Sequence, residues 1–314
     1  RLDNCTMTLT ELRYIVAVAR ERHFGRAAEA CHVSQPTLSV AIKKLEEELQ
    51  TQIFERTSSD VALTTLGAVI IQQAQRVLEE ANALKHLAKH GQDPLSGPLR
   101  LGAIYTVAPY LLPSLVRVAR DTLPKAPLFL EENFTVRLIE MLRQGELDCA
   151  ILADPFPSAG LDFLDLYEEP FLVAIPKGHE WSDRPTIGQK ELKEQNTLLL
   201  GAGHCFRDHV LGVCPELNRF GSGLTLGEHR SFEGSSLETI RQMVAGGIGI
   251  TVLPRTSVIN PNDRDGLIIY IPFNDPEPTR RVSLVWRKGY PRIEAMKALA
   301  RTIRACDLPG ARLL

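Results

Sequence analysis

The hydrophobic period of the chain changes at residues 91–98 (GQDPLSGP), and the change limits what each side of it can become. Two Gly and two Pro in that stretch break any continuing helix or strand, as a linker does. Before the break the apolar residues recur at helical spacing. Leu9, Leu12, Ile15, Val16 and Ala19 predict a first helix with Thr10 as a cap near its start, and residues 24–30 fit a short second one. Cys31-His32-Val33 then turns into Ser34, an N-cap, with Gln35 and Pro36 opening a third helix that runs through Leu38, Ile42, Leu45 and Leu49. Residues 54–63 place a polar turn between apolar flanks, the pattern of a small β hairpin. Residues 65–90 form the longest helical candidate. Its heptads put Gly67, Ala74, Ala81 and Ala88 at one seam position and Ile70, Val77 and Leu84 at the other, which suits a close helix–helix contact in a dimer arm.

After the break, short apolar runs at 99–104, 128–132, 149–153, 171–175, 197–200, 249–253, 267–271 and 282–286 alternate with helical stretches. The helices fit 107–120, 135–144, 188–195, 205–213, 235–245 and 291–305. Such alternation predicts an α/β fold with mainly parallel sheets covered on both faces. The stretch is long for one such body, and Pro155, Pro157 and Gly160 punctuate a crossing point, so two lobes with a cleft between them are expected.

Composition narrows the class of protein only by exclusion. The net charge of −2 argues neither for nor against a nucleic-acid partner. No apolar run approaches the roughly 18–20 residues of a membrane span, so no membrane association is expected. The first residues lack an apolar signal core, so secretion is not expected. Six cysteines in so long a chain are no disulfide scaffold, so a cytoplasmic protein with reduced thiols is expected. His179, His204, His209 and His229 lack metal-site spacing, and Gly246-Gly247-Ile248-Gly249 does not open a helix as a dinucleotide fingerprint does. No metal and no cofactor is therefore expected.

The tight turn before Ser34-Gln35-Pro36-Thr37-Leu38-Ser39 suggests a helix-turn-helix whose second helix, the third of the segment, would enter the major groove of double-stranded DNA, the plainer reading being an ordinary helical bundle. Gln35 suits paired hydrogen bonds to adenine, while Thr37 and Ser39 reach bases or phosphates. Lys43 and Arg56 are placed for phosphate. Against this, residues 7–64 hold seven basic and eight acidic side chains, an unfavourable balance for binding a polyanion. Ala27-Ala28, the Val33–Ser39 run, Ile42-Lys43-Lys44-Leu45-Glu46, Phe54-Glu55-Arg56 and Leu63-Thr64 resemble the LysR-type transcriptional regulators. The resemblance runs from Met7 to the C-terminal helix. It implies a winged helix-turn-helix over 7–64, a linker helix and hinge over 65–96, and an effector domain over 97–314 of the two-lobed periplasmic-binding-protein type. Lobe I would take about 97–170 and 272–314, and lobe II about 171–271. One departure is the hairpin tip Ser58-Ser59-Asp60, which is not basic where such wings often carry Lys or Arg.

The most informative segment of the second half is residues 203–214, GHCFRDHVLGVC. Cys205 follows a Gly201-Ala202-Gly203 turn and opens a predicted helix, with His204 and Arg207 near it, a setting that favours thiolate. A thiolate oxidised by peroxide becomes a sulfenic acid that a second thiol captures as a disulfide, and Cys214 is the natural partner. Nine residues of helix separate two Cα atoms by about 13.5 Å, whereas a disulfide needs roughly 4.4–6.8 Å, so closing the bond requires unwinding. On the residues alone, two ordinary buried small side chains fit as well. For Cys31, Cys149 and Cys306 that plain reading stands.

The run also resembles the redox segment of the hydrogen peroxide sensors within the LysR-type family. That resemblance implies that Cys205 reacts with peroxide and Cys214 resolves it, with Thr106, His204, Arg207, Asp208 and Arg287 forming the peroxide pocket. It further implies a homodimer or homotetramer that activates antioxidant genes through RNA polymerase and is reset by a glutaredoxin or thioredoxin system. Two other readings stay open: a regulator answering a small organic effector in the interlobe cleft, and a thiol peroxidase using the same cysteines.

Overall fold

A computed structural model describes residues 7–56, 61–90, 93–220, 233–234, 236–258 and 266–314. The chain divides into two compact units, one running to Asp93 with Arg143–Glu146, the other comprising Pro94–Leu142 and Leu147–Leu314.

The first unit contains α1 (Leu9–Glu21), α2 (Phe24–Ala30), α3 (Gln35–Glu48), β1 (Phe54–Arg56), β2 (Val61–Leu63) and α4 (Thr65–His90). Helix α1 is capped by Thr8 rather than by Thr10. Thr8 has a Glu three residues on, and the two close a reciprocal capping box in which the Thr8 N–H donates to Glu11 at 2.7 Å. Ser34 caps α3 as expected, accepting from the Thr37 N–H at 3.3 Å. Ile15, Val18, Ala27, Leu38, Ile42, Leu45 and Ile53 meet in one fully buried core. Glu46 ties the end of α3 to the hairpin, since its Oε1 accepts from the Ile53 N–H at 2.7 Å and the Phe54 N–H at 3.2 Å. Strands β1 and β2 pair antiparallel with Phe54 opposite Leu63, and the tip Ser58-Ser59-Asp60 lies outside the described residues.

The expected seam on α4 is corrected at its start. Gly67 and Ala74 are buried within this unit together with Ile71, while Leu66, Val69, Val77 and Leu84 stand exposed. The reason is a close backbone approach: a Cβ on Gly67 would lie 2.1 Å from the Ile53 carbonyl oxygen.

The second unit runs β3 (Leu99–Ile104), α5 (Ala108–Thr122), β4 (Leu128–Asn133), α6 (Thr135–Arg143), β5 (Cys149–Ala153), β6 (Leu161–Pro176), β7 (Thr197–Leu200) and α7 (Cys205–Val213). It continues through β8 (Glu233–Gly234), α8 (Leu237–Ala245), β9 (Ile250–Pro254), β10 (Ile268–Pro272), β11 (Thr279–Arg287), α9 (Ile293–Arg304) and β12 (Arg312–Leu313). The helix expected over 188–195 is a 3-10 turn at Gln189–Glu194.

Strand order is β4-β3-β5-β11-β6-β9-β7-β8, with β10 and β12 also on β6. The sheet is mixed rather than mainly parallel. β3 is parallel to β4 and β5, and β7 to β8 and β9, but the central β6 and β11 are antiparallel to each other. The sequence reading caught β6 only over 171–175, because its first half carries Asp162, Asp165, Glu168 and Glu169. Three of these charges are met by basic side chains: Asp165 by Arg281 at 3.2 Å, Glu168 by Arg312 at 2.8 Å, Glu169 by Arg280 at 2.8 Å.

Strand β6 threads two separate cores. Leu101, Leu111, Leu138, Ile151, Leu166, Leu284 and Leu299 fill the first. Phe171, Val173, Phe206, Val210, Cys214, Ile240 and Val252 fill the second.

Gly67 supplies a direct check on the first unit. Propensity alone makes Gly→Ala in a helix stabilising by about 1 kcal/mol. Contact with the Ile53 carbonyl reverses the sign, so Gly67→Ala is expected to destabilise by about 1–3 kcal/mol, measured by denaturant unfolding of the full chain.

Candidate functional site

The candidate site begins where β7 ends. After Leu200 the chain turns through Gly203, whose φ of +96° belongs to the left-handed region that favours glycine, and enters α7 at Cys205. A Cβ there would meet the Phe134 ring at 3.5 Å, an ordinary packing distance, so it is the backbone conformation that asks for glycine. The Cys205 thiol sits half-buried in the first turn of the helix, where unpaired N–H groups favour negative charge.

A small cleft faces that sulfur. The ends of β3 and β4 and the start of α6 contribute Thr106, Asn133, Phe134 and Thr135, and the turn contributes Gly203 and His204. It is scarcely larger than one water-sized molecule. His204 is buried, with its ring 4.8 Å from that of Phe134 and 5.8 Å from that of Tyr105. The Thr135 hydroxyl is buried and has no hydrogen-bond partner among the described residues, so the cleft offers an unused polar group to a ligand. Thr106 does not cap a helix. Its Oγ1 accepts from Arg280 Nη1 at 2.8 Å and its carbonyl from Nη2 at 3.1 Å.

Arg280 is the cation of this site, and sequence reasoning missed it. It is fully buried, its Cζ lies 4.9 Å over the Phe206 ring, and its Nε donates to Glu169 at 2.8 Å. Burial disfavours its charge, but Glu169, the Cys205 sulfur and Tyr167 outweigh that and hold the guanidinium above its ordinary range. Arg287, expected here, is elsewhere: its Nη1 donates to the carbonyls of Leu142 and Leu147. The physical reason is position on β11. Arg287 is the last residue of the strand, opposite Leu161, whereas Arg280 lies near its start, opposite Glu169 on β6.

Two further expected residues lie on α7 but turn away from the cleft. Arg207 donates from Nη1 to the Leu200 carbonyl at 2.8 Å and so fastens α7 to β7, and Asp208 is exposed. Cys214 stands at the far end of α7, fully buried in the second core. Burial pushes its thiol up, as does its hydrogen bond to the Glu216 carboxylate, with Sγ 3.5 Å from Oε2. Cys205 instead packs against the first core. The two thiols are free in this state, at opposite ends of a continuous helix. His209, one turn after Cys205, bonds through Nε2 to the Asp154 carbonyl, and its buried Nδ1 has no partner among the described residues.

On α3, Leu38, Ile42 and Leu45 face the core, leaving Gln35, Pro36, Thr37, Val40 and Lys43 exposed on the other side. Ser34 is occupied by its cap and lies 2.8 Å from the Thr37 hydroxyl, Ser39 is half-buried, and Lys43 pairs weakly with Glu47 at 3.9 Å. Arg56 closes β1, its side chain outside the described residues. The acidic excess is smaller at the surface than in the composition, because Glu11 and Glu46 bind backbone N–H groups inside the domain.

A mixed α/β sheet body joined to a three-helix, hairpin-bearing domain defines a class of two-part bacterial regulator. Residues 9–68 match the bacterial regulatory helix-turn-helix protein model of the lysR family, and residues 92–306 the LysR substrate binding domain. The chain belongs to the LysR family of DNA-binding transcription regulators, not to a family of enzymes. It is similar to OxyR proteins in particular. It is 43% identical over 298 residues to the hydrogen peroxide-inducible genes activator of Pectobacterium carotovorum subsp. carotovorum, covering 95% of this chain and 96% of that protein. It is 43% identical over 299 residues to the DNA-binding transcriptional dual regulator OxyR of Escherichia coli K12, covering 95% of each. Among solved structures, a full-length OxyR cysteine variant from Pseudomonas aeruginosa gives a TM-score of 0.77 at 48% identity, with 96% of this chain and 99% of that one covered. A hydrogen peroxide-bound OxyR cysteine mutant from Corynebacterium glutamicum gives 0.63 at 31% identity over 95% and 91%.

His209 makes the second unit pH-sensitive. Burial, and then the nearby Arg280 charge, lower its pKa below the ordinary histidine value. The unfolded chain therefore binds the extra proton first, near pH 6.5, and stability falls as the pH drops below that value toward the folded pKa. The slope is at most about 1.4 kcal/mol per pH unit. Denaturant midpoints measured from pH 8 to pH 5 are expected to flatten in His209→Gln relative to wild type.

Proposed function

We propose that this regulator senses hydrogen peroxide through Cys205 and Cys214 and answers by refolding α7, acting as an activator of antioxidant genes. One observation carries the reading: the two thiols begin and end a single helix while packing against different cores. The likeness to hydrogen peroxide-inducible activators supports it.

The chemistry follows from the site. A peroxide molecule in the cleft accepts from the Thr106 hydroxyl, whose oxygen is already taken up by Arg280, and meets the unpaired Thr135 hydroxyl. The Cys205 thiolate attacks one oxygen, the O–O bond breaks, and the departing hydroxide takes a proton to become water. Cys205 is left as a sulfenic acid. Cys214, deprotonated as it leaves its buried site, attacks that sulfur and expels the hydroxyl, which leaves as water, forming the disulfide. Because nine helical residues hold the Cα atoms about 13.5 Å apart and a disulfide admits at most about 6.8 Å, α7 unwinds. Gly212, with open space around it, and Pro215 just past the helix make the far end the place to start. A dithiol reductant of the glutaredoxin or thioredoxin type restores the thiols, in keeping with a cytoplasmic setting. Among the described residues no helix is long and apolar enough to cross a membrane.

The output side uses α3 on double-stranded operator DNA, with Gln35, Pro36, Thr37 and Lys43 exposed toward it and Ser34, Ser39 and Arg56 flanking them. The exposed apolar residues Leu66, Val69, Val77 and Leu84 of α4 suit pairing of two copies, and two such pairs give a homotetramer whose DNA-binding heads are respaced on oxidation. RNA polymerase is the partner that respacing would serve.

Thiol trapping with disulfide mapping tests the sensor. Sub-stoichiometric peroxide should bridge Cys205 to Cys214 in wild type and leave a trappable sulfenic acid in Cys214→Ser; no oxidation at Cys205 refutes it. Footprints on operator DNA should differ between reduced and oxidised wild type and be identical for Cys205→Ser. On the DNA side, Gln35→Ala is expected to cost about 1–3 kcal/mol on the specific site. Lys43→Ala should instead weaken all sequences alike and lower the salt slope by about 1, read by fluorescence anisotropy.

A further inference from the structure

The charge behind the cleft is held by a carboxylate that touches neither the sulfur nor the cleft. Glu169, on β6, and Arg280, on β11, are both completely buried, and they sit opposite each other in the strand register. Glu169 is fixed on both oxygens: Oε1 accepts from Arg280 Nε at 2.8 Å, and Oε2 accepts from the Thr256 N–H at 3.1 Å and its hydroxyl at 2.5 Å. With Nε tied back to Glu169, the outer nitrogens of the guanidinium fork reach the Thr106 hydroxyl and carbonyl. Thr106 and Cys205 line the same cleft.

We propose that Glu169 is a positioning residue that sets the reactivity of Cys205 through Arg280, aiming the guanidinium at Thr106 and partly cancelling its charge at the sulfur. The carboxylate thus restrains the thiol. A bare buried guanidinium would hold the sulfur ionised over a wide pH range, whereas the pair presents a dipole whose positive end faces the cleft. The same alignment fixes Thr106 as a donor to the cleft, since its oxygen is already accepting. This inference rests on Cys205 being the sensing thiol, but its test does not use peroxide, so the two readings fail separately.

The experiment is the pH profile of iodoacetamide alkylation at Cys205, followed by mass spectrometry of the peptide that contains it, in full-length protein carrying Cys214→Ser. Glu169→Gln should move the midpoint of the profile down by about one pH unit, a tenfold gain in the reactive form at a fixed pH below the midpoint. Glu169→Asp, which keeps the charge, should return it toward the parent value, a rescue that a purely structural role does not require. Glu169→Gln leaves a buried cation without its partner and is at risk of misfolding. The double variant Glu169→Gln/Arg280→Met removes both charges, and its midpoint should lie above the parent's. An unchanged midpoint in folded Glu169→Gln overturns the proposal. So does an unchanged midpoint in the double variant should the single one fail to fold.

Discussion

A guanidinium with no exposure to water is the constraint around which the second unit is arranged. Arg280 reaches Glu169 on β6 through Nε and Thr106 at the end of β3 through both outer nitrogens. Glu169 in turn reaches Thr256 beyond β9. One ion pair therefore joins the two central antiparallel strands, the rim of the cleft and the segment that follows a strand of the second core. Leaving either buried charge unpaired costs about 3–5 kcal/mol, a large share of the stability of an ordinary domain, so these elements hold their positions together. The first requirement on the site is structural, and its chemistry is built on that.

In the proposed switch α7 is the element that moves against this frame. Its buried stripe is short, Phe206 and Val210, and its far end passes through Gly212 into the cap at Cys214. Arg207 and His209 hold it by side-chain bonds to the carbonyls of Leu200 and Asp154. Such bonds contribute on the order of 1 kcal/mol each, small beside the buried pair. In the proposed switch, a bond that α7 cannot make as a helix would draw on these side-chain bonds and on the burial of Phe206, Val210 and Cys214, while the sheet stays intact. In that reading, the one long strand threading both cores is the route by which a local rearrangement would reach from one core to the other.

The DNA-binding unit solves a different electrostatic problem. Its composition is slightly acidic, yet Glu11 and Glu46 are used inside it to cap α1 and to clasp the hairpin, while the outward side of α3 carries Gln35, Thr37 and Lys43. Charge counts along a sequence treat every carboxylate as facing solvent, which is why the balance looked unfavourable.

What the sequence determined by itself was most of the α-helices and the apolar cores of most strands, the helix-turn-helix, and the nine-residue interval between Cys205 and Cys214, because period, caps and turns are local properties of neighbouring residues. Long-range pairing was out of its reach. Asp165, Glu168 and Glu169 made half of β6 look like a loop until β11 and β12 supplied their partners. Gly67 and Ala74 looked like a seam for another chain until the Ile53 carbonyl and the domain core met them. Arg287 and Arg280 both lie on β11, and only the sheet decides which of them turns toward Thr106. A buried charge is tolerated only where its counter-charge arrives from elsewhere in the chain, and that arrival is a property of the tertiary fold.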